Sequence, residues 1–206
     1  MIKVGLTGGI ASGKSVVGEM FVRLGAQLVQ SDEVAHSLRE PGQAVYDKIV
    51  EAFGTGILNP DKTINRAKLA EAAFGASHRV AELNAIVHPA VIAYENKWMN
   101  EIGAGDPKAI AIIEAALILE AGAAERFDYL IVVTCREGQR VHRMARRLGI
   151  SEEAAKAEVT RRMAAQWPDA EKIKAADFVI DNSGSMEETE QQVREVYAKI
   201  RSVDQN

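Results

Sequence analysis

The stretch Gly8-Gly9-Ile10-Ala11-Ser12-Gly13-Lys14-Ser15 limits what this chain can fold into more than any other. It has the pattern G-x-x-x-x-G-K-S. A short apolar run, Met1–Thr7, precedes it. Behind it, apolar residues at Val17, Met20, Phe21 and Leu24 share one helical face. Strand, glycine loop and helix is the setting in which such a loop cradles phosphate. Glycines let the backbone wrap closely, with amide hydrogens pointing inward, and the helix N-terminus adds partial positive charge. Lys14 has the reach for the β- and γ-phosphates of a nucleotide, and the Ser15 hydroxyl is a ligand for Mg²⁺.

The remaining strands follow from runs of apolar residues bounded by turn signals. They are Gln27–Gln30, Ala109–Ile113, Tyr129–Val133 and Asp177–Asp181. With the first, they predict an α/β P-loop NTPase-type fold of three layers around a parallel five-stranded sheet. Residues 43–53 and 65–99 read as helices, the first with Val45, Ile49, Val50 and Phe53 on one face. Apolar surface in the second comes from Leu69, Ala73, Phe74, Val80, Leu83, Ile86 and Val87. Gly103–Pro107 reads as a loop. The expected organisation is one chain with core segments 1–35, 106–140 and 175–206, a helical substrate-binding insertion over 36–105, and a helical lid over 141–174. Ser202–Asn206 is expected to fray.

Several side chains carry two readings. Asp32 follows the second strand, where the ligand crevice of a parallel sheet lies. It reads as a general base for a substrate hydroxyl or as the N-cap of the next helix, a role that Ser31 fits equally. Glu114 ends the third strand, as a metal-side carboxylate or an exposed strand end. His88, before Pro89, reads as a structural histidine, and Arg66 as a surface charge. Arg136, Arg140, Arg143 and Arg147 are spaced 4, 3 and 4 apart, so they share a helix face. A one-signed stripe repels itself unless anions lie against it, so phosphate contact is expected for at least one. The helical pair that follows, with Ser151 as N-cap, resembles the lid of small kinases, whose closure excludes water.

In this order the motifs resemble the dephospho-CoA kinase family over nearly the whole chain. The resemblance rests on Leu6–Ser15, Asp32, Asp61–Arg66 with Leu69 and Phe74, and Leu83-Asn84-Ala85-Ile86-Val87-His88-Pro89. It continues with Leu117–Glu120, Arg162–Gln166, Lys172, and Asp177–Gly184. It implies transfer of the γ-phosphoryl group of ATP to the ribose 3′-hydroxyl of dephospho-CoA, giving coenzyme A and ADP. Asp32, Lys14 and Arg143 are then the catalytic residues. ATP falls to Gly9, Ile10, Ala11, Ser12, Gly13, Lys14, Ser15, Val16, Arg143, Asn182 and Gly184. The acceptor falls to Asp32, Arg66, His88, Leu117, Glu120 and Arg162, and Mg²⁺ to Ser15. Alanine stands at position 11 and lysine at 62 where such enzymes usually carry glycine. Ala116 replaces a common proline, and Gln30 an aspartate.

Another small-molecule hydroxyl kinase, of nucleoside or shikimate type, is the competing reading. A nucleotide-dependent switch is a third, although Asn-Lys-x-Asp, the guanine-reading tetrapeptide, does not occur. The net charge of −4 leaves no basic footprint for nucleic acid. Cys135 is the single cysteine, so no internal disulfide forms. No signal peptide or membrane span is recognised. The expectation is a cytoplasmic monomer or small homo-oligomer that uses ATP and dephospho-CoA, with no nucleic acid or membrane partner.

Overall fold

The computed structural model describes residues 1–74 and 77–203. The side chain of Phe74 and residues 204–206 of the expected frayed tail lie outside them. The chain divides into two compact units, 1–28 with 101–206, and 29–100.

In the first unit, β1 (Ile2–Gly8) is the middle strand of a five-stranded sheet ordered β2-β3-β1-β4-β5. The edge strand β2 is Gln27–Gln30, and β3 (Ile110–Glu114), β4 (Tyr129–Thr134) and β5 (Phe178–Asp181) complete the sheet. β1 pairs parallel with β3 (Leu6 beside Glu114) and with β4 (Leu6 beside Ile131), and β4 pairs parallel with β5. All five residues of β3 are buried, as its unbroken apolar run requires. On one face, Val17, Met20 and Phe21 of α1 (Lys14–Arg23) join Val193, Val196 and Ile200 of the C-terminal helix (Met186–Val203) and the strands in one cluster. Each such side chain contributes about 1.5–3 kcal/mol by leaving water. The sheet thus fixes the C-terminal ends of β1, β4 and β5, from which the loops of the site emerge.

The second unit is helical: α2 (Ser31–Ser37), α3 (Ala44–Phe53), α4 (Arg66–Phe74) and most of α5 (Ser77–Gly105). Val34, Val45, Ile49, Ile57, Leu69, Val87 and Val91 form its core. The Ser31 hydroxyl donates to the buried Glu95 carboxylate at 2.5 Å and ties α2 to α5. Two expectations fail here. Gln30, not Ser31 or Asp32, occupies the N-cap of α2; Ser31 spends its hydroxyl on Glu95, and Asp32 sits inside the first turn. The loop expected at 103–107 is helix through Gly105, because the amide of Asp106 still donates to the carbonyl of Ile102 at 2.8 Å. Pro89 lies within α5, so the carbonyl of Ala85 loses its helical donor.

Among the described residues, the non-glycine residues with left-handed backbone are Ala11 (φ 54°) and Lys62 (φ 68°). These are the positions at which the resemblance expects glycine. A side chain in that region costs about 1–2 kcal/mol. Lys62 is exposed, so glycine there would forfeit only backbone entropy, roughly 0.5–1 kcal/mol. Lys62→Gly is therefore expected to raise Tm by about 1–4 °C. Ala11 differs because it packs against the lid's buried cluster, formed by Val141, Met144, Ala145, Ala155 and Val159. Losing its methyl costs about 0.8 kcal/mol more, so Ala11→Gly should leave Tm nearly unchanged. Calorimetric melting of both variants checks the pair; a larger gain from Ala11→Gly than from Lys62→Gly would contradict the account. Among the described residues, no helix is long and apolar enough to cross a membrane.

Candidate active site

The first unit builds its site on the turn between β1 and α1. Gly13 sits at the N-cap of α1 with φ 97°, and a Cβ there would collide with Asn182 Nδ2. A Cβ on Gly9 would collide with Arg140 Nη1. These approaches explain both glycines: the loop is held from behind by side chains touching its backbone. Arg140 Nη1 donates to Ile10 O (3.3 Å), and Arg143 Nη1 donates to Ser12 O (2.8 Å) and Ala11 O (3.4 Å). Asn182 Nδ2 donates to Ser12 O (2.8 Å), and Lys14 Nζ to Gly8 O (3.2 Å). Four successive or near-successive carbonyls are thereby turned toward donors, which suits a loop that presents its amides to an anion. The Ser12 hydroxyl is fully buried in the loop and has no hydrogen-bond partner among the described residues.

At the foot of α1, Ser15 Oγ donates to Glu114 Oε1 at 2.9 Å, and Glu114 is 8% exposed. A hydroxyl and a buried carboxylate side by side are hard oxygen ligands of the kind Mg²⁺ takes. Among the described residues no cluster of three or more His, Cys, Asp or Glu side chains forms, so phosphate and water oxygens would complete such a shell. Val16, next along, is exposed.

The arginine stripe does not share one environment. Arg136 is the N-cap of α6 (Glu137–Leu148) and is exposed. Arg140 is 1% exposed and ion-paired with Asp169 at the start of α8 (Asp169–Ala175). Arg143 Nη2 also donates to Asn182 O at 2.9 Å. Arg147 Nη2 reaches Met144 Sδ at 3.4 Å. The expected mutual repulsion is thus relieved within the protein, by Asp169 and by main-chain carbonyls. Arg140 was not singled out from its neighbours by sequence. Its signal was its place before Val141 and Met144, both buried.

Asn182 is itself fixed, with its Oδ1 accepting from Thr189 Oγ1 at 3.1 Å. A Cβ on Gly184 would collide with Glu188 Oε2, the group that accepts from the amide of Ser185 (2.7 Å) at the entry to the C-terminal helix. Glu120 Oε1 accepts from Lys172 Nζ (2.8 Å) and from the amide of Trp167 (2.8 Å). Lys172 is fully buried, which makes Glu120 the anchor of α8. Lys172 Nζ and Thr7 Oγ1 also donate to the carbonyl of Ala116, at 3.5 and 3.3 Å; a carbonyl serves equally whether the residue is alanine or proline. Leu117 is exposed. Arg162, on α7 (Glu152–Met163), pairs with Glu158 at 2.5 Å; hydrogen bonds from Arg161 and Arg162 hold the Glu158 carboxyl down to about 2. Ser151 caps α7 as expected, accepting from the amide of Ala154 at 3.2 Å. The Cys135 thiol contacts Ala11 O at 3.7 Å, and burial pushes its pKa up.

The second unit holds a cavity of about 440 Å³ lined by Asp32, Arg39 and Arg66 with apolar walls from Leu69, Ala73 and Leu83. Asp32 and Arg66 are thus brought together. His88 is exposed on α5 and does not line this cavity. Arg39 was missed by sequence reading; it stands seven residues after Asp32, in the turn that follows the C-cap Leu38 of α2. Its guanidinium is held below the usual arginine value by burial and by the charge of Arg66, against the opposing pull of Asp32.

Residues 2–188 match the family model described as dephospho-CoA kinase. The dephospho-CoA kinase of Corynebacterium efficiens is 40% identical over 200 residues, covering 97% of this chain and 98% of that protein. Among solved structures, TT1252 from Thermus thermophilus superposes with a TM-score of 0.78 at 30% identity, over 96% of this chain and 97% of that one. The dephospho-CoA kinase from Campylobacter jejuni superposes at 0.70 with 27% identity, over 98% of each chain.

Proposed function

Since the chain belongs to the dephospho-CoA kinase family, we propose a division of labour among its residues for the reaction of that family. The enzyme phosphorylates dephospho-CoA with ATP, the closing reaction of coenzyme A synthesis. The observation that carries the assignment of parts is the loop from Gly8 to Ser15, with its carbonyls tied back by Lys14, Arg140, Arg143 and Asn182. Its amides then receive the β- and γ-phosphates of ATP, and Lys14 leaves Gly8 O to bridge them. Asp32 accepts the proton of the ribose 3′-hydroxyl. The 3′ oxygen attacks the γ-phosphorus as the bond to the β,γ-bridging oxygen breaks, and ADP departs. The proton on Asp32 passes to water. Catalysis of this kind is positioning plus stabilisation of charge spread over the transferring oxygens.

Ser15, with Glu114 beside it, would hold Mg²⁺, which supplies neutralising charge between the phosphates when bound. Arg143 works by fixing the loop and Asn182, within reach of the transferring group once the lid closes. Asn182 and Gly184 shape the nucleotide side behind the loop. Val16 continues the loop into α1. Leu117, Glu120, Arg162 and His88 belong to the acceptor side, Glu120 by anchoring α8 through Lys172. The same reading places the enzyme in the cytoplasm, a monomer or small homo-oligomer acting on two small molecules, with neither nucleic acid nor membrane as partner.

The test is ADP release from Mg·ATP by the purified protein, with dephospho-CoA, shikimate or nucleosides as acceptor. ADP formation is expected with dephospho-CoA, accompanied by an equal amount of coenzyme A. Stimulation by shikimate or a nucleoside, and not by dephospho-CoA, would overturn the assignment.

A further inference from the structure

The second unit contains a pair of arginines that the division of labour above does not use fully. Arg39 and Arg66 line the 440 Å³ cavity with Asp32, and both also line an adjoining cavity of about 220 Å³ with His36, Thr63 and Ile64. They therefore stand where the two cavities meet. Arg39 Nε donates to Ala35 O at 2.6 Å, which orients the guanidinium, and among the described residues its Nη groups make no hydrogen bond. Neither arginine is ion-paired among the described residues. Glu40, in the smaller cavity, lies 3.8 Å from His36. Two like charges line the larger cavity with one carboxylate, Asp32, and burial and the charge of Arg66 both lower the Arg39 pKa while Asp32 raises it. Such a pair is relieved by an anion that both can touch.

The chemistry of the acceptor supplies that anion. In dephospho-CoA, the 3′-hydroxyl and the 5′-diphosphate sit on opposite sides of one ribose, so a base acting on the first has the second one sugar away. The diphosphate also joins the adenosine half to the pantetheine arm, as Arg39 and Arg66 join the two cavities. The larger cavity falls within the usual range for a small-molecule site, about 300–1,000 Å³.

We propose that Arg39 and Arg66 together grip the 5′-diphosphate of dephospho-CoA while Asp32 takes its ribose, and that Arg39 thereby selects this acceptor over an unphosphorylated nucleoside. The inference rests on dephospho-CoA as the acceptor. Arginine suits the task because its planar fork binds phosphate through two parallel hydrogen bonds.

The experiment compares wild type, Arg39→Gln, Arg39→Lys and Arg66→Gln in steady-state kinetics and in equilibrium binding of dephospho-CoA without ATP. Arg39→Gln and Arg66→Gln are expected to raise KM and Kd for dephospho-CoA by about 10- to 100-fold each, the range for a lost charge-assisted hydrogen bond. KM for ATP should move less than about twofold, which assigns the diphosphate to the acceptor and not to the nucleotide. The rise of KM for dephospho-CoA with ionic strength should be shallower in Arg39→Gln than in wild type and retained in Arg39→Lys, because only the former removes a charge. Inhibition by adenosine should be unaltered. An equal loss of adenosine and dephospho-CoA binding, an unaltered salt slope, or a matching rise in KM for ATP would overturn the proposal. Wild type that binds dephospho-CoA yet releases no ADP would sink the assigned reaction and leave the grip standing. Wild type that does not bind it would sink both.

Discussion

Replacing Lys14 by alanine is expected to lower kcat/KM by about 10³-fold or more. Loss of one neutral donor to a developing oxyanion costs roughly 10²–10³ in rate, and Lys14 brings a full charge to two phosphates. The fold should survive the change. Lys14 opens α1, alanine is the best helix former, and the bond to Gly8 O is one of five that hold loop carbonyls. The loop would keep its shape and lose its cation. Initial rates of ADP release, with a melting curve on the same sample, decide the point. A rate within tenfold of wild type at unchanged Tm would remove Lys14 from the catalytic set.

The sheet and the glycine loop were legible in the sequence because their signals are local. β3 needs only five apolar or strand-ending residues in a row, and the loop needs only glycines, a lysine and a serine between a strand and a helix. The two departures at 11 and 62 were equally legible. They came from the family resemblance, and among the described residues both non-glycine residues with left-handed backbone sit where such enzymes usually carry glycine. What remained hidden was the compensation at Ala11, since its packing against the cluster that holds Val141 and Val159 joins positions more than a hundred residues away.

Side-chain partners were less legible for the same reason. Periodicity put Arg136, Arg140, Arg143 and Arg147 on one face, and that is a statement about direction from one helix axis. It says nothing of Asp169, which neutralises Arg140, or of the Ser12 and Asn182 carbonyls that take Arg143. Likewise Ser31 and Asp32 compete for an N-cap on local grounds alone. The outcome was decided by Glu95, a buried carboxylate on another helix that Ser31 satisfies. Arg39 failed to register because a single arginine in the turn after a short helix has no pattern. Its meaning comes from Arg66, brought beside it by the turn through Lys62 and the start of α4.

Asp32→Asn tests the remaining half of the chemistry, and its effect on stability is separable from its effect on rate. Because Gln30 and not Asp32 is the N-cap of α2, the substitution removes no cap. It removes one negative charge from the first turn of a helix, worth about 0.3–1 kcal/mol at an exposed site. It also takes from Arg39 the one charge that raises its pKa, so dephospho-CoA should bind no more weakly and its diphosphate slightly better. ATP, held by the loop from Gly9 to Ser15, should bind as before. The amide matches the carboxylate in shape and cannot accept a proton from the 3′-hydroxyl. General-base loss costs about 10²–10⁴ in rate, so kcat should fall by at least about 100-fold with both KM values nearly constant. A kcat within tenfold of wild type would show that Asp32 only orients the hydroxyl. A fall in kcat matched by a large rise in KM for dephospho-CoA would make Asp32 a binding residue, and the proton would then leave by water.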